Sequence, residues 1–160
     1  MHISLPEFSA AFVGRFQPFH NGHLQAILGI LKMEPNLLII IGSKLESGTV
    51  KNPYAYEHRV EVIEHALENA KVDLERVKIV GLADINNDNE WVDYLIDTVP
   101  KFRTMYTGSE DTKFLFLENG KVEVANVDFL EGLNATLVRD KLKKSQDISG
   151  LVPYDPEILN

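Results

Sequence analysis

The chain has 160 residues, 44% of them hydrophobic, no cysteine and a formal charge of −8. That length fits one domain spanning 1–160, long enough to bury about two-thirds of its unfolded surface. The acidic balance argues against a nucleic-acid-binding protein, which needs a basic face, and the missing thiols exclude disulfides and thiolate zinc sites.

No basic leader followed by a long apolar core opens the chain, and no apolar run approaches ~18 residues. Neither an export signal nor a membrane span is expected, and cytoplasm is the default compartment. The run Phe8–Val13 reads as a first strand. Gly14-Arg15-Phe16-Gln17-Pro18-Phe19-His20-Asn21-Gly22-His23 follows as a glycine-containing turn. A helix over Gly22–Met33 comes next, with Leu24, Ile27, Leu28 and Leu31 at helical spacing and Asn21 as its expected cap. Strand, turn and helix N-terminus in that order make an anion site, because free N–H groups and the positive helix end point at one spot. Arg15, His20 and His23 add donors there. The plainer alternative is a turn whose glycines serve the backbone alone.

Leu37–Ile41 is continuous apolar sequence, suited to a central parallel strand. Asn52-Pro53 reads as a helix cap with proline in the first turn, and Tyr56, Val60, Ile63 and Leu67 mark the helix face. Strands are then expected at Val77–Leu82, Met105–Thr107 and Lys121–Ala125. Helices are expected at Glu90–Thr98, Glu110–Leu117 and Thr136–Lys144, with a loop and a short terminal turn or helix over 145–160. Alternating strands and helices predict an α/β, Rossmann-like, doubly wound sheet of five mostly parallel strands with helices on both faces. Ligands bind such sheets beyond the C-terminal strand ends. Arg15, Lys44, Lys51, Arg59 and Arg139 are candidates for a local basic pocket that overcomes the acidic net charge.

The ten residues from Gly14 to His23 resemble the HxGH signature of the nucleotidyltransferases. In the form GRFQPFHNGH they resemble the archaeal-type nicotinamide mononucleotide adenylyltransferases. Ile41-Gly42-Ser43, Glu46-Ser47, Asn52-Pro53-Tyr54 with Arg59, Trp91-Val92-Asp93-Tyr94 and Tyr106-Thr107-Gly108-Ser109 are similar to further segments of that family. His58 stands where a glutamate is usual. Asn134-Ala135-Thr136-Leu137-Val138-Arg139 is similar to the SGTxIR motif, with the serine and glycine replaced.

The resemblance implies transfer of the adenylyl group of ATP to nicotinamide mononucleotide, giving NAD and pyrophosphate. It implies His20, His23, Arg15 and Arg139 as catalytic groups, with Gly14, Phe16, Gly22, Gly108 and Thr136 binding ATP phosphates. Trp91, Ser43 and Asp84 would contact the nicotinamide nucleotide, although Trp91 equally suits a core position. Asn86, Asn87 and Asn89 could reach the carboxamide, and they are equally typical turn residues. Mg²⁺ is implied, held mainly by ATP phosphates, so no protein metal ligand is assigned. Relatives of this type often form rings, so a homo-oligomer is implied by the resemblance. Two other readings stand beside this one. One is transfer to another phosphorylated acceptor such as phosphopantetheine or FMN, or a cytidylyl acceptor. The other is a non-catalytic nucleotide-binding regulator, to which the Asn134-Ala135 replacement points.

Overall fold

The computed structural model describes residues 6–127 and 132–160. Its elements run β1 Phe8–Gly14, α1 Asn21–Met33, β2 Leu37–Ile41, α2 Tyr56–Asn69, β3 Val77–Gly81, α3 Asp88–Thr98, β4 Phe102–Thr107, α4 Glu110–Asn119, β5 Glu123–Asn126 and α5 Ala135–Lys143. Short 3-10 turns occupy Leu74–Arg76 and Pro156–Leu159.

The five strands form one sheet in the order β3-β2-β1-β4-β5. Every neighbouring pair is parallel. All five residues of β2 are buried, as its unbroken apolar run requires. Leu37, Ile39 and Ile41 join a core with α1, α2 and α5, while Leu38 and Ile40 join a second core with α3 and α4. Helices therefore cover both faces. The chain winds outward from β1 to β3, then returns to the far side of β1 to lay down β4 and β5. The loops leaving β1 and β4 part company there and open a crevice at the C-terminal edge.

Four expectations are corrected. The fourth strand is longer than Met105–Thr107, and the fifth is Glu123–Asn126 rather than Lys121–Ala125. Helix α2 begins at Tyr56, and its N-cap Ala55 makes no side-chain cap bond, so Asn52-Pro53 is not the helix start. The reason is a long-range demand. The Gln17 side chain pairs with both backbone groups of Tyr54, donating to its carbonyl at 3.0 Å and accepting its N–H at 2.9 Å. That pairing holds Tyr54 outside the helix. The helix cap of α1 is His20 rather than Asn21.

Candidate active site

Helix α1 is capped by two histidines. The His20 Nδ1 accepts the Gly22 N–H at 3.1 Å, and the His23 Nδ1 accepts the His20 N–H at 3.1 Å. This is a reciprocal capping box built from imidazoles instead of the usual hydroxyl and carboxylate. Each ring spends Nδ1 as an acceptor, so each neutral ring carries its proton on Nε2 and offers it as a donor. The rings stack with centroids 3.7 Å apart. Burial pushes His20 down to about 4, and burial followed by repulsion from His20 holds His23 well below the ordinary range. Both are neutral N–H donors at pH 7.

The loop before the cap is shaped by aromatic packing. Phe16 has φ of 55°, and its ring lies over Gly14, where a Cβ would come within 3.0 Å of it. That ring meets His23 edge-on at 4.8 Å, and Phe19 stacks on His23 at 5.3 Å. Apolar walls thus desolvate the imidazoles.

A cleft of about 570 Å³ opens beside this loop at the divergence of β1 and β4. Among the described residues Arg15, Lys51 and Arg139 line it together with His20, His23 and Thr136, and no carboxylate does. The N-caps of three helices also line it: His20 of α1, Ser109 of α4 and Asn134 of α5. The first turns of α1 and α5 carry no acidic residue, so their N-terminal partial charges are left for a ligand. Arg139 donates from Nη1 to the Gln17 carbonyl at 2.8 Å and from Nη2 to the Thr136 hydroxyl at 3.2 Å. One guanidinium thereby joins α5 to the β1 loop across the cleft. The arrangement suits a chain of phosphates.

Residues 11–150 match the cytidylyltransferase-like family. The chain is 36% identical over 143 residues to the nicotinamide-nucleotide adenylyltransferase of Thermococcus kodakarensis, covering 89% of this chain and 76% of that protein. Its identity to the Saccharolobus solfataricus nicotinamide-nucleotide adenylyltransferase is 37%, covering 89% and 83%. The chain belongs to the nicotinamide-nucleotide adenylyltransferase family.

A bifunctional NMN adenylyltransferase/ADP ribose pyrophosphatase from Francisella tularensis is similar in structure, with TM-score 0.80 and 27% identity. The match covers 94% of this chain and 46% of that one, so this chain spans about half of the bifunctional protein. Against the family pattern, Asn134 stands in the place of the motif's serine. Here it caps α5, its Oδ1 accepting the Leu137 N–H at 2.9 Å. Asparagine caps as well as serine, so the replacement keeps the helix start.

Of the residues singled out in sequence, Arg15, Phe16, His20, His23, Gly108, Thr136 and Arg139 line one cleft. Gly14 and Gly22 lie behind it, the first under the Phe16 ring and the second bonded to the His20 ring. Ser43, Asp84 and Trp91 are not brought into this cleft. Ser43 is buried with φ of 50°, and its carbonyl accepts from Arg59. Asp84 lies in the loop after β3, within electrostatic reach of Arg59. Trp91 is half-buried on α3, edge-to-face with Phe116 at 5.8 Å. Asn87 caps α3 through its Oδ1, which accepts the Asn89 N–H.

Two basic candidates are corrected. Arg59 is buried at 2% exposure and donates to the carbonyls of Arg15, Gly42 and Ser43 at 3.0, 2.9 and 3.0 Å. It ties the β1 and β2 loops together and does not line the cleft. Lys44 rests over the Tyr56 ring, 5.0 Å from its centroid. Gln17, which the motif reading left without a role, joins three segments through Tyr54 and Arg139.

Proposed function

We propose that this chain transfers the adenylyl group of ATP to nicotinamide mononucleotide, releasing pyrophosphate and forming NAD. The observation that carries this reading is the cleft itself: among the described residues three cations, two neutral imidazoles and the N-caps of three helices line it and no carboxylate does, in a chain of net charge −8. Such a site selects polyanions against the field of the whole molecule.

The chemistry follows from the acceptor. A phosphate monoester has its second pKa near ~6, so its oxygen is already an anionic nucleophile at neutral pH. It attacks the α-phosphorus of ATP; the new P–O bond forms as the bond to pyrophosphate breaks. No general base is needed. The barrier is the approach of two anions and the charge that grows on the transferring and leaving groups. Preorganised donors lower it, because they need no reorientation as the charge develops. His23 donates from Nε2 to the α-phosphate, and His20 holds the phosphate chain. Arg15 orients the reacting groups. Arg139, already fixed by Gln17 and Thr136, grips the β- or γ-phosphate. Trp91, Ser43 and Asp84 serve the nicotinamide nucleotide from the β2 and β3 side of the sheet edge, where an aromatic ring suits a cationic pyridinium.

Among the described residues no group of three or more His, Cys, Asp or Glu side chains could hold a metal. Mg²⁺ would be carried by ATP phosphates and water, and would supply neutralisation of the charge between the reacting phosphates. The Asn134-Ala135 replacement that points to a regulator keeps the α5 cap through Asn134, which favours the enzyme reading. The test is incubation of the purified chain with ATP, Mg²⁺ and nicotinamide mononucleotide. NAD formation is the expected result. A tight nucleotide complex with no product would favour the regulator, and product only with another phosphorylated acceptor would move the assignment there.

A further inference from the structure

The segment 145–160, which sequence alone reads as a loop and a terminal turn or helix, lies against the loop that carries His20. The buried Tyr154 donates its hydroxyl hydrogen to the Phe19 carbonyl. The Leu151 carbonyl accepts the Asn21 N–H at 2.9 Å. The Gly150 carbonyl accepts from the Asn21 side-chain amide at 3.1 Å. Farther along, His58 of α2 donates from Nε2 to the Ile158 carbonyl at 2.7 Å, which anchors the end of the segment.

These contacts complete a pattern around one residue. His20 is joined to its neighbours by two peptide groups. In the first, the N–H goes to the His23 ring and the C=O, that of Phe19, takes the Tyr154 hydroxyl. In the second, the C=O accepts the Leu24 N–H at 3.2 Å and the N–H, that of Asn21, goes to Leu151. Each peptide is held at one end by α1 and at the other by the C-terminal segment. The φ of −138° and ψ of 178° at His20 are therefore fixed from two sides. Without the segment, both planes keep only their α1 bonds and can swing about them. Burial raises the Tyr154 pKa far above the usual phenol range, so the hydroxyl stays a donor.

We propose that Gly150–Tyr154 is a strap that positions His20 for turnover, with Tyr154 as its principal positioning residue. Its kinetic consequence rests on the adenylyl-transfer reading; its geometric consequence does not. The test is Tyr154→Phe in the full chain, assayed well below the melting temperature. The expected result is a loss of about tenfold in kcat, the scale of one hydrogen bond amplified by misplacement. KM for ATP and for nicotinamide mononucleotide should move less than about twofold, since the strap acts on the reacting geometry. In a His20→Ala background the same change should cost nothing further, because the group being positioned is gone. A general loss of folded protein would cut both backgrounds alike.

An NMR measurement reads the geometry without turnover. Tyr154→Phe should shift the backbone amide and imidazole signals of His20 and leave those of β2 in place. If Tyr154→Phe melts near the assay temperature, Asn21→Ala removes the Gly150 contact that seats the strap beside the Asn21–Leu151 bond, and should give a smaller loss in kcat with KM again nearly unmoved. An unchanged kcat in an active enzyme, an equal loss in the His20→Ala background, or unmoved His20 signals would each overturn the strap. A wild-type chain that makes no NAD would instead defeat the adenylyl-transfer reading, and the NMR result would still decide the strap.

Discussion

His20 and His23 cap one helix between them, with rings stacked 3.7 Å apart and only 22° from parallel. Two charged imidazoles at that distance would repel strongly, and burial already disfavours the charge on each. The cap therefore keeps both rings neutral and fixes the proton of each on Nε2. A structural device of the fold, the start of α1, has the side effect of making two hydrogen-bond donors for a phosphate.

His23→Ala should lower kcat by roughly 10²–10³, the cost of removing one preorganised donor to the transition state. ATP affinity should change much less, because the cations that hold the phosphate chain remain. Steady-state kinetics and equilibrium nucleotide titration separate the two. Normal turnover in this variant would remove His23 from the mechanism.

Stability should fall as the solution is acidified. The folded His20 binds its proton with a pKa of about 4, against an ordinary value of 6.5. The unfolded chain thus holds more protons than the folded one between those values, and stability rises with pH across that window. Above it both forms are neutral and the contribution is constant. His23 acts in the same direction. His20→Asn keeps a side-chain cap without a titrating group. Its melting temperature should depend less on pH between about 4 and 6.5 than that of the wild type. Parallel profiles for the two proteins would show that His20 is not depressed by burial.

Arg59→Lys should be costly although it preserves the charge. The guanidinium reaches carbonyls of two loops, those of Arg15 at 3.0 Å and Gly42 at 2.9 Å, from one nitrogen, and that of Ser43 from another. A single ammonium cannot span them, and each buried carbonyl left unpaired costs ~1–3 kcal/mol. Urea unfolding should show a loss of about 2–3 kcal/mol. Equal stability would mean that the loops hold their shape without this tie.

The reading of sequence succeeds where the signal is local. The apolar run of β2, the turn from Gly14 to His23 and the period of α1 each report directly on their own backbone. It fails where a distant residue decides. Tyr54 is kept out of α2 by Gln17, thirty-seven positions away, and nothing near Asn52-Pro53 announces that. Imidazoles rarely cap helices, so Asn21 looked the better cap than His20. The burial of Arg59 did leave a trace. Arg59, Val62, Ile63, Ala66 and Leu67 form the inward face of α2, at helical spacing. Tyr56 and Val60 sit at its margin, and a face centred on them puts Arg59 at its edge instead of near its middle. The strap leaves no local mark at all, because its work is done by two backbone carbonyls and one hydroxyl.

Asn134 offers the sharpest test of how α5 serves the cleft. Its Oδ1 caps the helix through the Leu137 N–H, and the first two turns then carry Thr136 and Arg139 to the cleft wall. Asn134→Ser replaces one good cap with another and should leave stability within a few tenths of a kcal/mol. Asn134→Ala removes the cap and should cost about 1 kcal/mol in denaturant unfolding. The functional consequence should exceed that figure's share of global stability, because fraying is confined to the turn that presents Thr136. With Thr136 displaced, the Arg139 guanidinium loses one of the two partners that aim it. ATP affinity should fall about tenfold, in step with a misdirected phosphate contact. Asn134→Ala that loses stability yet binds ATP as tightly as the wild type would place the grip on the phosphates in Arg15 and Lys51 instead.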